Sequence, residues 1–125
     1  MKLIIPLAPV PKGRGRAYWE GGTQRVGTPA KTKAFERAAR FAMLGHTPMR
    51  GALVLSATFK IKRPKGSKRE WPNVRPDLTN YLKSAEDAAN GMLWLDDGQI
   101  CELHAVKVYC GPGEEPCIEL EVTEL

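Results

Sequence analysis

Cysteine and histidine are scarce in this chain: three cysteines (Cys101, Cys110, Cys117) and two histidines (His46, His104) among 125 residues. An odd cysteine count with no C-x-x-C spacing argues against a disulfide framework and leaves a zinc site without its usual ligand set. His104 beside Cys101 makes at best half a metal site, and a strand side chain is the simpler role. Long apolar runs are missing too. Nothing approaches the ~20 consecutive apolar residues that span a bilayer. The start, Met1-Lys2-Leu3-Ile4-Ile5-Pro6-Leu7-Ala8-Pro9-Val10, is broken by two prolines and followed by Lys12-Gly13-Arg14-Gly15-Arg16 with no small-residue cleavage pattern. A secretory signal is therefore not expected, and the chain reads as a soluble cytoplasmic protein with no membrane partner.

Acidic residues are nearly absent from one part of the sequence. Residues 1–76 hold 17 Lys and Arg against only Glu20, Glu36 and Glu70, whereas residues 77–125 hold Lys83 and Lys107 against eleven carboxylates. A net +14 is followed by a net −9, giving the overall +5. Separation of sign on this scale points to a polyanionic partner, with carboxylates kept for another task; two solvated faces are the plainer alternative.

The length suits one domain covering residues 1–125. At this size a chain buries roughly two thirds of its unfolded surface, enough for a core without metal or disulfide staples. Leu3 to Leu7 suits a short strand, and residues 8–27 a loop or ragged hairpin carrying Arg14, Arg16, Tyr18, Trp19 and Arg25, with a Gly21-Gly22 turn. Thr28-Pro29 reads as an N-cap followed by proline at the first helical position. Ala34, Phe35, Ala38, Phe41 and Ala42 then recur at helical spacing up to Gly45, with Lys31, Lys33, Arg37 and Arg40 between them.

Residues 52–62 alternate, with Leu53, Leu55, Ala57, Phe59 and Ile61 on one face, as in a half-buried strand. The basic segment Arg63-Pro64-Lys65-Gly66-Ser67-Lys68-Arg69 suits a loop, and a second helix is expected over about 78–90, stopped by Gly91. Strands follow at about 99–109 and 117–123 around a Gly111-Pro112-Gly113 turn. The order β, α, β, α, β, β implies an α+β fold: a mixed or largely antiparallel sheet of about four strands covered by two helices.

The chemistry concentrates between residues 77 and 97. On a helical wheel Leu78, Tyr81, Leu82, Ala85, Ala89 and Met92 share one arc, while Asp77, Thr79, Asn80, Lys83, Ser84 and Asp87 occupy the other. Asp77 sits where free backbone N–H groups and the helix dipole favour an anion, as a cap or as a ligand. Further on, Leu93-Trp94-Leu95-Asp96-Asp97 places two adjacent carboxylates at the edge of an apolar run, a costly arrangement unless they are solvated, paired or cation-bound. Mg²⁺ takes one or two carboxylates, waters and phosphate oxygens. Asp77 with Asp96 or Asp97 supplies such a set if the fold brings the helix start beside the loop at its far end; a solvated Asp-Asp-Gly turn is the other reading.

The run Arg75-Pro76-Asp77-Leu78-Thr79-Asn80-Tyr81-Leu82-Lys83, then Glu86-Asp87-Ala88, then Asn90-Gly91-Met92-Leu93-Trp94-Leu95-Asp96-Asp97-Gly98-Gln99-Ile100, resembles the RusA family of Holliday junction resolvases. The family pattern is roughly PD-x-D-N-x-x-K, DAL-x-G, a hydrophobic stretch, then DD and Q, and the strong match covers about residues 75–100. The resemblance implies a homodimeric, Mg²⁺-dependent endodeoxyribonuclease of DNA recombination and repair that cuts four-way junctions symmetrically. It maps metal-binding acids onto Asp77 and Asp97, with Asp96 beside it, the functional lysine onto Lys83, and a ligand-orienting amide onto Asn80. One position departs from the pattern: the second acid, two residues after the first, is Thr79 here. Glu86 returns to within 20° of Thr79 on the helix but ~10 Å further along it, so it is a replacement ligand or a partner of Lys83 at i, i+3.

A nuclease site of this charge repels DNA unless cations surround it. Arg14, Arg16, Arg25, Lys65, Lys68, Arg69 and Arg75 are the candidate phosphate contacts, and Tyr18 and Trp19 are either stacking platforms for unpaired bases or loop packing. Two other functions fit the same residues: a non-catalytic DNA-binding or regulatory module, and a less selective nuclease of flaps and forks.

Overall fold

The computed structural model describes residues 1–13, 16–27 and 29–125, with Arg16, Ala17, Tyr18, Glu20 and residues 25–27 described by their backbone alone. Four strands form one sheet: β1 (Lys2–Ile5), β4 (Leu53–Ile61), β5 (Ile100–Tyr109) and β6 (Cys117–Glu124), in the order β1-β6-β4-β5. β6 runs antiparallel to both β1 and β4, whereas β4 and β5 are parallel, so the sheet is mixed. A parallel neighbour requires a crossover. Here it is the long connection that carries the basic loop and the second helix, α2 (Leu78–Ala89).

The helix α1 (Ala30–Ala42) and α2 cover one face of the sheet, giving the α+β domain that the element order implies. Alternation decides the buried row on each strand: Leu53, Leu55, Ala57 and Phe59 on β4 meet Ile118, Leu120 and Val122 on β6. The helices complete the core with Phe35, Ala39 and Met43 from α1 and Tyr81, Ala85, Ala88 and Ala89 from α2, and the Tyr81 ring stacks 5.8 Å from that of Phe59. Trp94 is buried just beyond α2 and donates its indole N–H to Asn90 Oδ1 at 2.7 Å, which satisfies its one polar atom.

Local expectations change at four points. Residues 16–27 form a regular antiparallel hairpin, β2 (Arg16–Glu20) with β3 (Thr23–Gly27), turning at Gly21 and Gly22 with φ of 58° and 78°. Positive φ at both turn residues suits the tight hairpin turn and costs glycine little. Pro29, rather than Thr28, occupies the cap position of α1, and Thr28 lies outside the described residues. The buried stripe of α1 is Thr32, Phe35 and Ala39, continued by Met43 at the C-cap, so Ala34 and Ala38 face outward and Phe41 is 76% exposed. The apolar residues of this helix match two overlapping 3.6-residue stripes, and docking on the sheet selects the one centred on Phe35. On α2, Ser84 is buried with the apolar set rather than facing solvent.

Candidate active site

The outer ridge of α2 carries Thr79, Asn80, Lys83, Glu86 and Asp87, all at least partly exposed. Beside its C-terminal half stands the short 3-10 turn Asp97–Gln99, and between them lies a compact charge cluster. Lys83 Nζ is 3.1 Å from Asp87 Oδ1, an i, i+4 pair, and 3.8 Å from Asp97 Oδ2. Asp87 also receives the Lys12 ammonium at 2.9 Å, and Lys12 in turn binds Glu36 of α1 at 2.8 Å. One carboxylate shared by two lysines is held ionised: its pKa is lowered by the hydrogen bonds from Lys12 and Lys83 despite partial burial, which acts in the opposite direction.

Glu86 does not pair with Lys83. Its partial burial, together with the nearby charge of Asp97, raises its pKa. Asp96 is turned to a different task. Its Oδ2 accepts the Gly98 N–H at 2.9 Å, capping the 3-10 turn, while the Gln99 side chain reaches back to the Leu95 and Asp96 N–H groups at 2.8 and 3.0 Å. This reciprocal cap is the capping-box arrangement.

Asp77 lies at the opposite end of α2, nine residues before Glu86 and so about 13 Å away along the axis at ~1.5 Å per residue. Among the described residues no three of His, Cys, Asp and Glu converge on one point. Asp77 occupies the N-cap position and its carbonyl accepts from Asn80 N and Tyr81 N at 3.1 and 3.3 Å, yet its carboxylate makes no capping hydrogen bond. That carboxylate shares a shallow pocket with Arg75, Thr79 and Lys107.

Of the candidate DNA contacts, Lys65, Lys68 and Arg69 line a shallow groove with Tyr109, whose ring also carries the Arg63 guanidinium 4.5 Å above its centroid. Arg75 is exposed beside Asp77. Arg16 and Arg25 lie on the paired strands of the hairpin, and Trp19 at its far end is exposed. Arg14 lies outside the described residues.

Residues 6–123 match the family described as Endodeoxyribonuclease RusA. The chain belongs to the RusA family. It is also 30% identical over 142 aligned positions to the uncharacterized protein YqaN of Bacillus subtilis (strain 168), an alignment spanning the whole of this chain and 96% of that protein. RusA membership points to nuclease activity on DNA, in a family whose nucleases are typically metal-dependent. None of the described helices is long and apolar enough to cross a membrane.

Placed on this RusA fold, three residues matter that the motif reading left without a role. Lys12 ties the segment leading to the hairpin onto α2, through its N–H to the Asn80 carbonyl at 2.9 Å as well as through its ammonium. Gln99 joins the acidic turn to the segment before β4, donating to Met49 O and Gly51 O at 3.0 and 3.1 Å. Lys107 donates to Val74 O and Pro76 O, each at 2.8 Å, immediately before Asp77. Gln99 leaves a signal in the sequence as the glutamine of the family pattern, and Lys107 as a cation on the strand face that Leu103 and Ala105 also occupy, whereas Lys12 leaves none.

Proposed function

We propose that this protein is a Mg²⁺-dependent, structure-specific endodeoxyribonuclease that resolves four-way DNA junctions by paired symmetric phosphodiester hydrolysis, acting as a cytoplasmic homodimer in recombination and repair. The observation that carries the reading is Lys83 held between Asp87 at 3.1 Å and Asp97 at 3.8 Å, on a chain of the RusA family. The donor set fits Mg²⁺, which is held in proteins by one or two carboxylates together with waters and phosphate oxygens. Asp97 and Glu86 are the ligands at one end of α2, and Asp77, free of its own cap, is the acid at the other. Asp96 supports the turn that presents Asp97. When bound, the cation supplies the charge that polarises a phosphoryl oxygen and acidifies a water for in-line attack, leaving 5′-phosphate and 3′-hydroxyl ends.

The chain's own groups set the rest. Lys83 is anchored by Asp87 and directed at the Asp97 side, where its ammonium offsets the negative charge that grows on phosphoryl oxygens in the transition state. Asn80, one turn before it on the same ridge, orients a ligand or water. Arg14, Arg16, Arg25, Lys65, Lys68, Arg69 and Arg75 hold the DNA backbone against this acidic ridge, with affinity that falls as salt rises. Two equivalent sites related by a two-fold axis match the symmetry of a four-way junction.

Asp97→Asn is the deciding variant. Junction binding at fixed salt is expected to survive and Mg²⁺-dependent cutting to cease. Undiminished cutting by the variant would sink the catalytic reading, and equal cutting of flaps, forks and junctions by the parent protein would remove its junction selectivity.

A further inference from the structure

Lys107 stands on an apolar row of β5. Its register neighbour on β4 is the buried Phe59, and Leu103 and Ala105 precede it on the same side of the strand. Lys107 is half-buried, so its ammonium exchanges only part of its water for protein acceptors. Its acceptors are main-chain ones, the carbonyls of Val74 and Pro76, both at 2.8 Å. This position also brings a cation to the N-terminus of α2, the end at which the helix dipole disfavours positive charge. Local stability alone is poorly served by such a placement.

The two carbonyls flank Arg75 and end at the residue before Asp77. From Leu78 onward the Asp77 backbone is fixed by the helix, through its carbonyl to Asn80 N and Tyr81 N. On the other side, the bonds from Lys107 are what tie residues 74–76 to the sheet. The Asp77 carboxylate has no cap bond of its own to set its direction. We infer that Lys107 is a positioning residue: by holding the Val74 and Pro76 carbonyls against β5 it fixes where the Asp77 carboxylate stands, for the cation and phosphate it is to meet.

The inference rests on Asp77 being a metal-binding acid, and its test separates the two. In metal-free protein, Lys107→Met is expected to speed hydrogen exchange at the Asn80 and Tyr81 amides, which bond to the Asp77 carbonyl, while amides of β4 and β6 keep wild-type protection. In cleavage assays the Mg²⁺ concentration giving half-maximal rate is expected to rise by about tenfold or more, the usual cost of losing a residue that orients a metal ligand. Lys107→Arg, which keeps a charged donor, is expected to recover most of both properties. Should Lys107→Met not fold, Lys107→Gln carries the same comparison with a neutral donor that reaches at most one carbonyl. Wild-type exchange together with wild-type Mg²⁺ dependence in either neutral variant overturns the inference. Asp77→Asn identifies which idea has failed: full cleavage by that variant removes the role of Asp77, whereas loss of cleavage beside an unaffected Lys107→Met removes only the role of Lys107.

Discussion

Replacing Gln99 by alanine tests how the acidic turn is built. Its side chain makes four hydrogen bonds, accepting from Leu95 N and Asp96 N at 2.8 and 3.0 Å and donating to Met49 O and Gly51 O at 3.0 and 3.1 Å. At about 1 kcal/mol net per bond the sum is about 4 kcal/mol. Leu95, Asp96 and Gly51 are exposed, so water replaces much of what Gln99 offers them, whereas Met49 is half-buried. A loss of about 2 kcal/mol is the better figure, with the Met49 carbonyl bearing most of it. Unfolding entropy scales with chain length, so for 125 residues this loss lowers Tm by about 8 °C.

The turn also positions Asp97, and cleavage is expected to fall by about tenfold to a hundredfold while junction binding persists. Gln99→Glu divides the four bonds: its oxygens still accept from the Leu95 and Asp96 N–H groups but face the Met49 and Gly51 carbonyls without a donor. It is therefore expected to be less stable than wild type at neutral pH and to recover toward it in acid, as the carboxyl gains a proton to donate. Thermal and urea unfolding, read beside junction cleavage, check each step. A Gln99→Ala protein with unchanged Tm and unchanged cleavage would refute the claim that this side chain holds the turn.

Other consequences follow from the same coordinates. In Gly98→Ala the new Cβ would lie 2.8 Å from Asp96 Oδ2, the atom that caps the turn, so the carboxylate must swing away. The expected cost is about 1 kcal/mol, or roughly 4 °C in Tm, and a fully stable variant would show that the cap is dispensable. Lys60 joins Glu114 at 2.8 Å and Glu119 at 3.0 Å, and it is the main cause of the lowered Glu114 pKa. A depressed carboxylate adds stability above its unfolded pKa, near 4.5, and loses it as pH falls through the folded value. Lys60→Met should therefore lower the urea midpoint at pH 7, and the gap from wild type should close toward pH 3; a gap that persists in acid would assign the loss to packing instead.

The two halves of the site differed in how well local pattern exposed them. Asp77, Lys83 and Asp97 stand out as candidates because the run from Arg75 to Ile100 resembles the RusA motif; taken alone, Asp77 reads equally as a helix cap and Asp96-Asp97-Gly98 as a solvated turn. The strands were plainer, since period-two alternation in residues 53–61 and 118–122 allows one buried face only. On α1 the pattern misled: Ala34, Ala38 and Phe41 have helical spacing, but so do Phe35, Ala39 and Met43, and only contact with the sheet chooses between them. Lys12, Gln99 and Lys107 each reach partners far along the chain, Asp87, Met49 and Val74 among them, which no periodicity encodes.

The separation of charge and the α+β class were determined by the sequence alone, because composition and periodicity are local properties, and the candidate site residues came from the resemblance of residues 75–100 to the RusA motif. The tertiary structure decided where the acidic turn lies: it sets Asp97 3.8 Å from Lys83, which is anchored on Asp87, while the twelve residues of α2, about 18 Å long, put Asp77 and Glu86 near its two ends. It also decided that one carboxylate, Asp87, serves two lysines, linking the segment before the basic hairpin to the lysine beside the acidic pair.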